Sequence, residues 1–231
     1  MSGFRLLALN LALGLFCIAA VALLYFDPGR AKALTREDGP IEWSTVACYA
    51  AASGFMIGAA LRARHRSLFL WGYALLFFLV AGEEISWGQR LLGFETPREL
   101  KEINVQREFT IHNVKGLFNN VRMIGLLVIG VIAFGIPLVH KISPLFRALS
   151  GRIAMPVFPW WAGAIVAAGA LFMAIPRLKY TYGVQTLDEV GEFLLSVAMC
   201  VFAAAVFYEG RLPIESCSPG RPTGHTVTGP L

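Results

Sequence analysis

Six apolar runs, at 4–26, 43–61, 67–82, 121–139, 157–175 and 190–208, constrain this chain more than any other feature. Each approaches the ~20 residues that a helix needs to cross the hydrocarbon core of a bilayer. Short polar connections separate them, so the runs cannot be folded away inside one soluble core. With 56% hydrophobic and only 15% charged residues, the composition lies outside the range of an ordinary globular domain. The pattern predicts an all-α, polytopic transmembrane helix bundle of about six spans. Residues 1–212 then form a single transmembrane helical domain, and residues 213–231, rich in Pro, Gly, Ser and Thr, form a disordered cytoplasmic tail.

The net charge of +5 does not point to nucleic acid, because the basic residues are scattered through connections between apolar runs. Their densest group, Arg62, Arg64, His65 and Arg66, places the second connection in the cytoplasm by the positive-inside rule. Both termini follow it. His140, Lys141, Arg147, Arg152 and Arg211 agree with that orientation. The first run follows Arg5, is longer than the apolar core of a secretory signal and lacks a small-residue cleavage site, so it reads as a retained helix. Cys17, Cys48 and Cys200 lie inside apolar runs, Cys217 lies in the tail, and no zinc-finger spacing, P-loop, G-x-G-x-x-G or G-x-S-x-G string occurs. These absences remove the usual support for nucleotide and serine-hydrolase chemistry.

Under this topology the polar connections 83–122 and 177–189 share the outer face. The third run leads directly into Gly-Glu-Glu-Ile-Ser-Trp-Gly-Gln-Arg at 82–90, and a helix continued to Arg90 puts Glu83, Trp87 and Arg90 on one face. Adjacent carboxylates at a membrane edge need hydration, a cation or a salt bridge, so Glu83 and Glu84 are candidate catalytic residues. Between spans three and four, residues 98–115 are expected to form a short interfacial helix, with Asn104, Glu108 and His112 on a polar stripe. Glu108 and His112, one turn apart, suit a divalent metal such as zinc or iron. An i,i+4 hydrogen bond on an amphipathic helix explains the same pair without a metal.

Asp188, Glu189 and Glu192 open the sixth run. The first two have a structural explanation as first-turn acids favoured by the helix dipole, whereas Glu192 lies deeper and joins the catalytic candidates. Arg90, Gln106, Asn113 and Arg177 are the candidate substrate-binding groups on the same side.

The strings at 82–90 and 104–113, with Leu-Asp-Glu-Val-Gly-Glu-Phe at 187–193, resemble the signature of an uncharacterised family of bacterial multipass membrane proteins. The resemblance implies residence in the bacterial cytoplasmic (inner) membrane and carries no activity with it. A fainter likeness is to the alkaline ceramidase-like membrane hydrolases, which hold zinc with membrane-embedded His and acidic residues; the paired late histidines of that family are missing here.

Three functions fit these residues. One is a metal-dependent enzyme acting on a lipid or lipid-linked substrate at the outer face, with membrane lipid as its partner. Another is a proton- or cation-coupled transporter using the same acids. The third is a non-enzymatic scaffold or assembly subunit held together by small-residue helix packing. The orientation predicts that a topology reporter fused after Arg66 reads cytoplasmic; a periplasmic signal there would overturn it.

Overall fold

The computed structural model describes residues 3–63, 67–104, 107–111, 114–116, 118–178 and 184–209. Among them the chain is helical throughout, with one isolated antiparallel β-bridge between Asn104 and Val114. In chain order the helices are α1 (Gly3–Phe26), α2 (Pro28–Leu34), α3 (Pro40–Arg62), α4 (Leu68–Glu84), α5 (Gln89–Leu92) and α6 (Arg98–Ile103). They continue with α7 (Phe118–Gly130), α8 (Ile136–Ile142), α9 (Pro144–Arg152), α10 (Gly163–Leu178) and α11 (Val184–Glu209). The expected tail at 213–231 lies outside the described residues.

Three helices are long and apolar enough to cross a membrane: Pro40–Arg62, Met123–Ile142 and Thr186–Tyr208. Gly14–Phe26 and Trp160–Ala174 are shorter apolar stretches, and α4 contributes 17 residues. Only 17% of the apolar window in Met123–Ile142 is buried, and Leu127, Leu138 and Ile142 stand exposed along it. Such an apolar surface is far larger than a soluble monomer tolerates, as expected of a membrane protein.

The core is built by α3 packed against α4 and α11, with α10 against the other side of α11. Buried positions on α3 recur every three to four residues, at Thr45, Tyr49, Ala52, Ser53, Met56, Ala59 and Ala60. Most are small, which lets the neighbouring backbones approach. The Ser53 hydroxyl donates to the Ala74 carbonyl of α4 at 2.9 Å, a polar tie between helices that have no water to compete for it. Tyr73 meets Phe202 edge to face at 5.4 Å, and Phe158 closes on Phe202 at 5.2 Å.

α10 and α11 touch backbone to backbone. A Cβ on Gly169 would sit 2.9 Å from the Gly191 carbonyl oxygen, and one on Gly191 would sit 2.8 Å from that of Gly169. Both glycines are present because no side chain fits between these helices.

Met123–Ile142 is not uniform. A π turn at Val131–Gly135 joins α7 to α8, with the Ile136 N–H donating to the Val131 carbonyl. Its cause is Pro137, which has no N–H for the carbonyl four residues earlier and whose ring would strike that turn. Beyond it, α9 folds back: Arg147 donates to the carbonyls of His140 and Lys141, and His140 Nδ1 lies 3.1 Å from the Ser150 hydroxyl. The Ser67 hydroxyl donates to the Ala154 carbonyl at 2.9 Å, so this basic segment sits at the α4 N-terminal end of the bundle.

Gly169→Ala should therefore destabilise the protein by about 1–3 kcal/mol through overpacking. Gly72→Ala, where nothing lies within 4 Å of the added Cβ, should be neutral or stabilising. Thermal unfolding of the two variants in the same detergent checks the contrast.

Candidate functional site

The third helix does not continue to Arg90. α4 ends at Glu84, and Ser86, Trp87 and Gly88 follow with φ of 48°, 54° and 75°. Two of these are not glycine, so the turn is strained and must be held by its surroundings. The holding groups come from the same string. Gly82 leaves room for the Trp87 ring, since a Cβ there would lie 2.8 Å from it. Glu83 accepts from the Trp87 indole N–H at 2.8 Å with one carboxylate oxygen, and from the Ile111 backbone N–H at 2.8 Å with the other. The Ser86 hydroxyl donates to Glu108 at 2.7 Å. Gln89 accepts from the Phe109 N–H and donates to the Thr96 hydroxyl, both at 2.7 Å. Thr96 in turn donates to the Arg107 carbonyl at 2.9 Å.

The expected interfacial helix over 98–115 is likewise shorter. It stops at Ile103, and the described residues beyond it form a loop closed by the Asn104–Val114 bridge and by the Lys115 N–H donating to the Ile103 carbonyl at 2.8 Å. The reason is Asn104. Its buried side-chain amide donates to the Thr110 carbonyl at 2.9 Å, while its side-chain oxygen accepts from the Glu108 N–H at 3.3 Å, so it replaces the helical pattern with its own turn. Arg107, with φ of 61°, takes the loop round the corner. Asn104 and Glu108 are therefore not a helical stripe.

Glu83 and Glu108 thus knit the loop to the end of α4. Glu84 faces the other way. It stands within electrostatic reach of Glu192 and Glu189 of α11, Glu42 of α3 and its neighbour Glu83. Glu189 in turn feels Glu192, Glu42, Asp188 and Glu37. Three helix ends produce this convergence: α3 and α11 begin here and α4 ends here, with the Thr35 hydroxyl 3.0 Å from that of Thr186 tying the connection before α3 to the first turn of α11. Tyr49, two turns along α3 from Glu42, carries the influence of Glu84 and Glu192 on its hydroxyl while only 6% exposed. Among the described residues no hydrogen-bond partner reaches the Tyr49 hydroxyl or the carboxyl groups of Glu84 and Glu189.

Sequence reasoning expected Glu84 and Glu192 on one face, and the structure brings them together. It did not single out Glu42 or Tyr49. The available signal was the spacing 42, 45, 49, 52 and 56, which puts Glu42 on the buried face of α3. His112, Gln106 and Asn113 lie outside the described residues, as do the side chains of Arg90 and Arg177. Among the described residues no group of three or more His, Cys, Asp or Glu is arranged to hold a metal ion. Comparison with protein-family models, curated proteins and solved structures returns no match.

Removing the Glu83 carboxylate should loosen the loop without unfolding the bundle. In Glu83→Ala the Ile111 amide should exchange with solvent about tenfold to a hundredfold faster, the equivalent of one charge-assisted hydrogen bond. Amides in the middle of α3 should be unchanged. Hydrogen exchange by mass spectrometry measures both.

Proposed function

We propose that this chain is a multi-pass protein of the bacterial inner membrane, with about six spans and both termini in the cytoplasm. Its working site is the acidic end of the bundle at the outer face, where it acts as an enzyme on a lipid or lipid-linked substrate. The six-span count adds α1, α4 and α10 to the three long apolar helices. The orientation is supported by the distribution of charge: Arg62, Lys141, Arg147 and Arg152 gather at the end of the bundle opposite Glu42, Glu84 and Glu192.

One observation carries the functional reading. Glu84 from α4 and Glu192 from α11 converge on the buried Tyr49 hydroxyl of α3. Carboxyl groups gathered this closely share protons or a cation, and a pair of which one holds a proton and the other does not is the equipment of general acid–base catalysis. Glu84 and Glu192 are the acid–base pair in this proposal, with Tyr49 as the donor that orients substrate and Glu189 and Glu42 setting the local field.

This differs from a centre at Glu108 and His112. One carboxylate oxygen of Glu108 already accepts from Ser86, so acid–base chemistry at Glu84 has the better geometric support. A transport pathway has less. Beyond Tyr49 the bundle interior offers hydroxyls committed to main-chain carbonyls, Ser53 to Ala74 and Ser196 to Phe193, in place of further acids.

The test is reconstitution of the purified protein into vesicles of bacterial lipid extract, with lipid mass spectrometry before and after incubation. Wild type should convert a lipid species, and Glu84→Gln or Glu192→Gln should each lower the rate by at least about a hundredfold. Proton or cation flux abolished by Glu84→Gln, with no lipid conversion, would replace the enzyme by a transporter. Neither activity, in wild type that remains folded, would leave the scaffold.

A further inference from the structure

Beside the acidic end lies a cleft of opposite charge. It encloses about 400 Å³ between α6 and the loop that follows it, lined by Arg98, Lys101, Glu102, Arg107 and Lys115. Four cations share it with one carboxylate. That carboxylate is engaged, because Glu102 pairs with Arg98 at 3.1 Å. Lys115 donates to the main-chain carbonyl of Glu102 at 3.0 Å, which positions its ammonium group without neutralising it. Among the described residues neither Lys101 nor Arg107 has an anionic partner.

Like charges hold together at a surface only against repulsion, and an anion in their midst reverses its sign. Arg107 is the best placed of them. Its backbone is fixed at φ of 61°, with its carbonyl accepting from Thr96 at 2.9 Å, so the main chain is locked while the guanidinium keeps its donors available. A guanidinium fork with two ammonium groups around one concavity is the donor set that matches phosphate oxygens. The cleft reaches the size range of small-molecule pockets, larger than phosphate alone requires, and so has room for what the phosphate is attached to.

We infer that the cleft binds a phosphate group, either that of a phospholipid headgroup or one free in solution. The inference does not depend on Glu84. The 83–89 turn joins the cleft to the acidic cluster, because Ile111 and Phe109 of the same loop bond Glu83 and Gln89. A lipid held here by its phosphate would therefore lie next to the proposed reaction site.

The experiment compares wild type with Lys101→Gln/Arg107→Gln, both as the full chain. The altered side chains are exposed and carry no described side-chain hydrogen bond, so the fold is retained; a helical circular dichroism spectrum and a monodisperse elution profile verify it. A control pair, Arg30→Gln/Lys32→Gln, removes the same charge elsewhere. Native mass spectrometry reads retained phospholipid, and thermal stabilisation by inorganic phosphate, against chloride at equal ionic strength, reads free phosphate. Retained phospholipid that the cleft variant loses and the control keeps identifies the headgroup. Stabilisation by phosphate whose apparent affinity falls at least about tenfold in the cleft variant alone, with no retained lipid, identifies the free ion. Equal behaviour of wild type and the cleft variant in both measurements, or equal loss in the control, overturns the inference.

Discussion

The left-handed turn at Ser86–Gly88 is the constraint on which the rest of the polar structure depends. Stopping α4 at Glu84 separates two carboxylates that are adjacent in the chain. Glu83 turns toward the loop and takes up an indole and a backbone amide, while Glu84 turns toward α3 and α11. Two non-glycine residues at positive φ cost of order 1–3 kcal/mol each, and the bonds to Glu83, Ser86 and Gln89 are what offset that strain. A regular helix through Arg90 would remove the division of labour between the two acids and with it the anchor of the loop.

That turn also stands between two electrostatic environments. On one side are the acids of three helix ends, on the other the basic cleft at Arg98–Lys115. At the far end of the bundle, charge is handled differently. Arg147 caps main-chain carbonyls at the end of α8, and Arg62 lies 3.9 Å over the Phe207 ring. There the cations complete helix ends and rings; near the turn the charged groups face one another across unfilled space.

The helical class was legible because apolar runs of this length have few other physical solutions, and the boundaries of α3 and α11 agree with the runs at 43–61 and 190–208 to within a turn or two. The convergence of Glu84 with Glu192 was also legible, since loop charge alone assigns both to one face. What was not legible is how the polar strings fold. Periodicity makes Asn104 and Glu108 look like one helical face, but Asn104 satisfies main-chain groups through its side chain, and that competition depends on Thr110, six residues away. Glu42 escaped notice for a different reason: it precedes an apolar run, where an acid reads as ordinary helix capping, and its neighbours come from α4 and α11, distant in the chain.

The π turn at Val131–Gly135 has a consequence for how this helix tolerates changes of length. It amounts to one extra residue in an α-helix, so deleting a residue there would restore regular winding and turn everything after it by about 100° relative to everything before. His140 would swing off Ser150, and the carbonyls that Arg147 caps would rotate out of its reach. Chain length in this segment is therefore bound to the fold-back of α9, and a shorter version would have to rebuild that corner.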